Sequence, residues 1–240
     1  MLSRLRSVLF YAGYAAATVV WGTIGTLFGW LIPYRARFQF IIGLWTRFCL
    51  WWLRMTCGIR HRVHGLDNIP DKPCIVLCRH ESTWETLFLQ TLFAPQATLI
   101  KKELLQIPFF GWAFRSLRPI AIDRSDPRAA LKHLIKEGRQ RLERDIWVVL
   151  FPEGTRMPPG QLGRFQPGGA ALAAATGAPI LLVGHNAGRC WPAHALVKRP
   201  GEIQVLISEP LETTGKTTKE LQQLATARFS ELMSQLQGDS

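Results

Sequence analysis

A histidine and a glutamate five residues apart are the residues best suited to chemistry in this sequence. His80 and Glu85 follow the apolar run Cys74–Cys78, which is typical of a buried strand. Ligands of open α/β sheets bind where strands end, so His80 lies at a favourable position. An imidazole accepts a proton, and a carboxylate one helical turn away fixes its tautomer. We therefore predict a general-base pair, although a surface histidine near a solvated helix charge would have the same spacing.

A second candidate stretch is Phe-Pro-Glu-Gly-Thr-Arg at residues 151–156, which follows an apolar run. Its proline and glycine favour a sharp turn at the end of a strand. Arg156 carries a planar set of donors that suits a phosphate, and Thr155 could add a hydrogen bond. A purely structural turn, in which Glu153 and Arg156 pair with each other, is equally consistent with these residues.

Four further cations lie near the ends of two predicted strands, namely Lys101, Lys102, Arg118 and Arg124. The chain has a net charge of +12, which favours an anionic partner. Nucleic acid would attract the same residue types, but the sequence contains no recognisable RNA-binding motif. We therefore predict a phosphorylated substrate or an anionic membrane surface, and no nucleic acid.

The elements that must position these residues alternate between strand and helix patterns from about residue 60 onward. This alternation predicts an α/β fold with a largely parallel sheet covered by helices on both faces. Ser82 or Thr83 is better placed to cap a helix than to act as a nucleophile. The predicted strands are Cys74–Cys78, Ala97–Ile100, Pro119–Ile122, Ile146–Phe151, Ile180–Val183 and Ile203–Ile207, and the predicted helices are Thr83–Phe93, Glu103–Leu117, Pro127–Glu143, Gly168–Ala175 and Thr218–Leu236.

The first part of the chain has a membrane-like composition. Val8–Ile32 carries no charged residue and is long enough to cross a hydrocarbon core of about 30 Å, although its glycines also allow a bent or re-entrant hairpin. Phe38–Met55 mixes aliphatic residues with tryptophans that favour a headgroup layer, which predicts an interfacial helix. A core helix of the soluble part is the alternative. We therefore divide the chain into a membrane-associated segment, 1–59, and a catalytic domain, 60–240.

The five cysteines do not form a disulfide framework, because their number is odd and two of them lie in a predicted core strand. Their spacing also lacks the pattern of a zinc site, and we predict no metal. Buried, reduced thiols that pack as small hydrophobic residues are the simpler interpretation. They are Cys49, Cys57, Cys74, Cys78 and Cys190.

The order and spacing of these stretches resemble those of the 1-acyl-sn-glycerol-3-phosphate acyltransferases, a family of glycerolipid acyltransferases. The resemblance covers roughly Ile69 to Pro192 and implies a twisted sheet flanked by helices, with an N-terminal two-helix membrane element. The stretches that carry it are His80…Glu85, Lys101–Leu104 with Pro108 and Gly111, Ile120–Arg124, Phe151–Arg156 and Ala178–Ile180.

This resemblance implies a role for each matching residue. His80 would be the general base and Glu85 its orienting acid. The reaction would move a fatty acyl group from acyl-CoA or acyl carrier protein to the sn-2 hydroxyl of 1-acyl-glycerol-3-phosphate, giving phosphatidic acid. It implies no cofactor besides the thioester co-substrate, and a catalytic domain on the cytoplasmic side of the membrane. The residues implied in substrate binding are Lys101, Lys102, Arg124, Glu153, Gly154, Thr155 and Arg156.

One departure from the family concerns Glu85, because the family pattern has aspartate at this position. Glutamate keeps the charge but is one methylene longer, so the contact with His80 requires the helix to lie further back. Two alternative functions stay open from the sequence. One is an acyltransferase for another lysolipid, and the other is a non-catalytic phospholipid-binding membrane protein.

Overall fold

A computed structural model of the protein describes residues 1–123 and 125–238, in which seven strands form one sheet. They are β1 (Ile59–His64), β2 (Ile75–Cys78), β3 (Gln96–Lys101), β4 (Ile120–Ile122), β5 (Trp147–Leu150), β6 (Ile180–His185) and β7 (Gly201–Ile207). Their order across the sheet is β1-β7-β6-β2-β5-β3-β4. Among these described pairs, β6 and β7 are antiparallel and the others are parallel. The predicted α/β class and the six predicted strands are confirmed, with small shifts at the strand ends.

Eight α-helices accompany the sheet in the described part of the chain. They are α1 (Leu2–Phe28), α2 (Tyr34–Phe38), α3 (Leu44–Cys57), α4 (Trp84–Leu92), α5 (Phe110–Arg115), α6 (Pro127–Leu142), α7 (Gly168–Thr176) and α8 (Thr218–Gly238). Asp126 caps α6, since its carboxylate accepts from the backbone N–H groups of Arg128 and Ala129. Thr217 and Glu220 form a capping box at the start of α8.

The central strands are hydrophobic on both faces because helices cover both sides of the sheet. Side chains along β2 alternate, so that Val76 and Cys78 join one hydrophobic cluster, whereas Ile75 and Leu77 join the other. The first cluster contains α1, α3, α4 and α5, and the second contains α6, α7 and α8. This two-sided burial is the arrangement expected of parallel strands.

The N-terminal segment forms two helices that pack against each other. Trp52 of α3 donates from its ring nitrogen to the Leu9 carbonyl oxygen of α1 at 3.2 Å, and Trp21 stacks on Phe48. A Cβ atom at Gly13 would lie 2.2 Å from the Trp52 ring nitrogen, so this approach requires glycine. The predicted two-helix element is therefore present as a packed pair.

The first helix runs without a break from Leu2 to Phe28, so its glycines do not fold it into a hairpin. By length and composition, the described stretch Leu2–Leu31 is long and apolar enough to cross a membrane. Only 22% of its most apolar window is buried by the rest of the protein, unlike a core helix. This exposed apolar surface is consistent with membrane association.

Helix α3 is buried on one side, like a core helix, and exposed on the other, like an interfacial helix. Trp45 and Leu53 are buried in the same hydrophobic cluster as the sheet, whereas Trp51 and Met55 are more than half exposed. A short π-helical turn, Gln39–Gly43, precedes this helix. Helix α3 ends at Cys57 and β1 begins at Ile59, so the chain passes from helix to sheet close to the predicted boundary. The buried side chains on both sides of this point share one cluster, and the division into two domains stays a prediction.

All five cysteines are free and buried, as predicted from their number and spacing. Burial raises the pKa of the Cys74 thiol to about 12 and that of Cys78 well above its usual value. These thiols are therefore protonated near neutral pH and pack as small apolar side chains.

Candidate active site

The predicted pair of His80 and Glu85 is in contact. His80 follows the last residues of β2, and Glu85 lies in the first turn of α4. The Nδ1 atom of His80 lies 2.8 Å from Glu85 Oε1, within hydrogen-bonding distance. The His80 side chain is 16% exposed and that of Glu85 is fully buried, so the imidazole is the member of the pair that a substrate can reach. The longer side chain of glutamate is therefore accommodated in this contact.

Backbone donors hold the Glu85 carboxylate in place. Its Oε1 atom also accepts from the N–H groups of Glu81 and Ser82, at 3.1 and 2.9 Å. Burial favours the protonated carboxyl, but the hydrogen bond from His80, the nearby His185 and the Ser82 N–H outweigh it and hold the pKa of Glu85 below its usual value. The positive end of the α4 helix dipole also favours an anion in the first turn. Glu85 is therefore ionised near neutral pH.

Ser82 supports the start of α4, as the sequence predicted. Its hydroxyl accepts from the backbone N–H of Trp84 at 3.1 Å, and the residue is fully buried. The other predicted cap, Thr83, makes no capping hydrogen bond through its side chain. A buried hydroxyl that is used for capping is not placed to attack a substrate.

The turn at residues 151–156 is joined directly to the histidine. Phe151 stacks on the His80 ring with centroids 4.2 Å apart, and Glu153 Oε2 accepts from the backbone N–H of His80 at 3.1 Å. These contacts exist because β2 and β5 are neighbours in the sheet and end at the same edge. The structure therefore brings together the two stretches that the sequence singled out.

Glu153 is buried and uses both carboxylate oxygens within the protein. Its Oε1 atom accepts from Arg79 Nη1 at 2.5 Å and from the Gly163 N–H at 3.0 Å. The partner of Glu153 is therefore Arg79, and the alternative pairing with Arg156 is not formed. This geometry gives Glu153 a supporting place beneath His80, and its implied contact with substrate stays a prediction.

Gly154, Thr155 and Arg156 occupy the outer part of the same turn. Gly154 has φ +70°, a conformation that favours glycine, and its N–H donates to the Phe151 carbonyl oxygen. Thr155 is exposed and Arg156 is half-buried. The Nε atom of Arg156 is buried and has no hydrogen-bond partner in the part of the chain that the structure describes. An unused guanidinium donor is suited to an anion, although the roles of all three residues stay predictions.

The predicted lysines lie further along the same edge of the sheet. Lys101 ends β3 and Lys102 begins the short 3₁₀ turn after it, and both are exposed. The Lys102 ammonium group pairs with Asp123, which follows β4, and this contact raises the pKa of Lys102. Arg124, the next predicted substrate-binding residue, lies outside the described residues. Because β2, β5 and β3 are parallel neighbours, the two lysines lie at the same edge of the sheet as His80.

Comparison with known proteins agrees with these features. The family model described as Acyltransferase matches residues 60–185. A protein of Pseudomonas aeruginosa named 1-acyl-sn-glycerol-3-phosphate acyltransferase is 48% identical over 97% of this chain and 91% of its own length. This chain belongs to the 1-acyl-sn-glycerol-3-phosphate acyltransferase family. The resemblance stated from the sequence motifs is therefore confirmed.

More distant relatives extend the comparison. A protein of Saccharomyces cerevisiae with the same name is 30% identical to the acyltransferase over 92% of this chain and 73% of its own. The crystal structure of the 1-acyl-sn-glycerophosphate acyltransferase of Thermotoga maritima superposes with a TM-score of 0.76 at 24% identity, covering 95% of each chain. That likeness shows that the two proteins share a fold.

Three buried residues near the active site of the acyltransferase were missed by the sequence analysis. The Arg79 guanidinium donates to Glu81 and Glu153 and to the carbonyl oxygens of Pro158 and Gln161, which ties the end of β2 to the stretch that follows β5. Glu81 also accepts from the Gly188 N–H at 2.8 Å. The third residue is His185, at the end of β6. The available signal was the presence of charged residues directly after strands that are otherwise apolar.

The arrangement as a whole is suited to moving a proton from a hydroxyl group. Since Nδ1 of His80 is bonded to an ionised carboxylate, the nitrogen left for the substrate is Nε2. An imidazole in this state accepts a proton, and Glu85 stabilises the imidazolium that results. The half-buried Arg156 lies on the turn that supports the same histidine, where it could hold an anionic group of the acceptor.

Proposed function

We propose that this acyltransferase moves a fatty acyl group from a thioester to the sn-2 hydroxyl of 1-acyl-glycerol-3-phosphate, giving phosphatidic acid. The observation that carries the proposal is the 2.8 Å contact between His80 Nδ1 and Glu85 Oε1 beside the Phe-Pro-Glu-Gly-Thr-Arg turn. The name of the Pseudomonas aeruginosa relative supports the same acceptor.

The proposed reaction needs no acyl-enzyme because the thioester is already activated. The acceptor oxygen attacks the thioester carbonyl carbon while His80 Nε2 takes the hydroxyl proton. The tetrahedral intermediate then collapses, the carbon–sulfur bond breaks, and the thiolate takes the proton back from His80. Glu85 keeps the imidazole oriented through both steps, and base catalysis of this kind contributes about 100- to 10,000-fold to the rate.

The phosphate of the acceptor is assigned to the cations along the same edge of the sheet. Arg156 lies on the turn beside His80, and its Nε atom has no hydrogen-bond partner among the described residues. A guanidinium group is suited to bidentate contact with a phosphate. Arg124, Lys101 and Lys102 are the further candidates. Since Lys102 pairs with Asp123, a phosphate would have to compete with that carboxylate for it, whereas no such exchange is needed at Arg156.

The donor and the membrane complete the proposal. Acyl-CoA or acyl carrier protein supplies the acyl group, and no other cofactor takes part. The exposed apolar surface of α1 places the protein at a membrane, where both the one-chain acceptor and the two-chain product reside. The catalytic domain lies on the cytoplasmic side, where the thioester donors are available.

The test is transfer of a labelled acyl group to lysophosphatidate by the purified protein in detergent, with acyl-CoA and with acylated carrier protein. His80→Ala and Glu85→Gln should both lose most of the activity, whereas His133→Ala, at an exposed position of α6, should not. If the folded wild-type protein transfers nothing to lysophosphatidate from either donor, the proposed acceptor is wrong. Other lysolipids would then be assayed with the same variants.

A further inference from the structure

A second histidine lies directly beneath the catalytic pair. His185, at the end of β6, is 1% exposed. Its Nδ1 atom accepts from the Ala187 N–H at 3.2 Å, so the ring proton is on Nε2. That N–H group donates to the Arg79 carbonyl oxygen at 3.0 Å. His185 therefore holds the peptide that immediately precedes His80.

The same N–H group faces the second oxygen of Glu85. His185 Nε2 lies 3.9 Å from Glu85 Oε2, and this buried oxygen accepts no hydrogen bond within the described residues. The first oxygen of Glu85, in contrast, already accepts from His80 and from two backbone N–H groups. Any stabilisation of the second oxygen must therefore come from the electrostatic field of its neighbours.

The charges around the pair show why this field is needed. Three carboxylates are buried here, those of Glu81, Glu85 and Glu153, and they face one buried guanidinium, that of Arg79. Arg79 contacts Glu81 at 3.2 Å and Glu153 at 2.5 Å, so its charge is shared between those two. The charge of Glu85 is left to the helix terminus and to the two imidazoles. An uncompensated buried carboxylate would take up a proton instead.

We propose that His185 is a positioning residue for acyl transfer, which fixes the loop of His80 through the Arg79 carbonyl oxygen and keeps its polarised Nε2–H group 3.9 Å from Glu85 Oε2. This inference rests on the proposed acyl transfer. His185 touches no substrate and takes up no proton during the reaction. Its contribution is to keep Glu85 ionised and His80 aligned, so that His80 Nε2 is available for the hydroxyl proton.

Three substitutions at His185 separate this role from simple packing. The amide of glutamine reaches the position of the imidazole Nε2, whereas the amide of asparagine reaches only that of Nδ1. Phenylalanine keeps the ring but has no donor. We therefore expect His185→Gln to retain most of the kcat and His185→Asn and His185→Phe to lose about 10- to 100-fold, the cost of leaving the buried Arg79 carbonyl oxygen without its donor. The KM values for both substrates should change little.

The dependence of kcat on pH distinguishes this role from a packing defect, because a packing defect would not change the pKa of Glu85. Without the Nε2–H group, the Glu85 carboxylate holds a proton up to higher pH. The acidic limb of the plot of kcat against pH should therefore shift to higher pH in His185→Asn and His185→Phe. In His185→Gln this limb should lie at its wild-type position. The other groups that face Glu85 are unchanged in all three variants. They are His80 and the Cys78 thiol, and the charged side chains of Arg79, Glu81 and Glu153 lie around that thiol.

The matched control is His61→Phe. The His61 ring packs at 5.7 Å from Trp84, as the His185 ring does at 6.0 Å, but it approaches that side chain from β1. This control should keep the wild-type kcat and the wild-type acidic limb. If the melting temperature shows that His185→Phe does not fold, the comparison of His185→Asn with His185→Gln tests whether the donor at the Nε2 position is needed.

Two results would overturn the inference. One is that His185→Asn has the wild-type kcat and the wild-type acidic limb in its plot of kcat against pH. The other is an equal loss in His185→Gln and His185→Asn. A wild-type enzyme that is inactive toward lysophosphatidate would instead overturn the proposed function. In that case, the titration of the Glu85 carboxyl carbon by ¹³C NMR still decides whether His185 lowers the pKa of this carboxyl.

Discussion

The backbone N–H of His80 donates to Glu153 Oε2 at 3.1 Å, so two motifs that lie 73 residues apart share one carboxylate. The same carboxylate binds Arg79, whose carbonyl oxygen accepts from His185. Arg79 and His80 are therefore held by residues that follow β5 and by the end of β6. This arrangement leads to predictions that separate catalysis, substrate binding and stability.

The length of the acidic side chain should matter as much as its charge. Glu85→Asp shortens the side chain by about 1.5 Å, which is enough to break its 2.8 Å contact with His80 while the charge is kept. We expect a kcat between those of the wild type and Glu85→Gln, measured at saturating acceptor and donor. Glu212→Asp, at an exposed position, is the matched control. A wild-type kcat in Glu85→Asp would show that α4 can move to restore the contact.

Arg156 should act through the affinity for the acceptor. Removing one charge-assisted contact with a phosphate costs about 1.5–3 kcal/mol, so Arg156→Ala should raise the KM for lysophosphatidate by roughly 10- to 100-fold with a smaller effect on kcat. The KM for the thioester should not change. Arg144→Ala, which alters an exposed residue just before β5, is the control. Unchanged acceptor kinetics in Arg156→Ala would assign the phosphate to other cations.

The buried pair of Arg79 and Glu153 should make a large contribution to stability. Both side chains are 0% exposed. Glu153→Ala removes one of the two carboxylates that Arg79 contacts and also leaves the N–H groups of His80 and Gly163 without their acceptor, so it should cost about 3–5 kcal/mol of unfolding free energy. The expected result is a clear fall in melting temperature in detergent. Glu231→Ala provides the comparison, since its pair with Arg228 is about 60% exposed and should contribute little. Equal melting temperatures for the two variants would contradict this prediction.

The titration of Glu85 should make stability depend on pH. The folded-state pKa of Glu85 is below its usual value of about 4.3, so the ionised carboxylate stabilises the fold above that pH. This contribution is lost as the pH falls through the folded-state pKa. We therefore expect the melting temperature of the wild type to fall more steeply than that of Glu85→Gln below about pH 5. Parallel curves for the two proteins would mean that Glu85 does not contribute in this range.

The exposed face of α1 should determine how strongly the protein binds membranes. Val20 and Leu27 are 49% and 56% exposed on this helix, and a charged residue within a bilayer costs about 2.5–3.5 kcal/mol at the centre. The double variant Val20→Glu, Leu27→Glu should therefore sediment less with lipid vesicles while its melting temperature in detergent is kept. Thr226→Glu on α8 is the control. If the double variant sediments with vesicles as strongly as the wild type, another surface of the protein makes the membrane contact.

The sequence alone determined the class of the fold and the reactive pair. Alternating apolar strands and helices predicted a largely parallel sheet, and the ends of four predicted strands carried the candidate site residues. His80 and Glu85 could be paired from the sequence because they are only five residues apart, so the short turn from β2 into α4 brings them together without a long-range contact. The motif order then indicated the family.

Only the tertiary structure decided which groups support this pair. The contacts of Arg79 with Glu153 and with His185 join residues 74 and 106 positions apart, and they depend on the order in which β5 and β6 flank β2. Local periodicity does not specify strand order, because a strand buried on both faces has the same apolar pattern next to any neighbour. For the same reason, Glu153 was predicted to bind substrate and is found beneath the histidine, with both oxygens bonded within the protein.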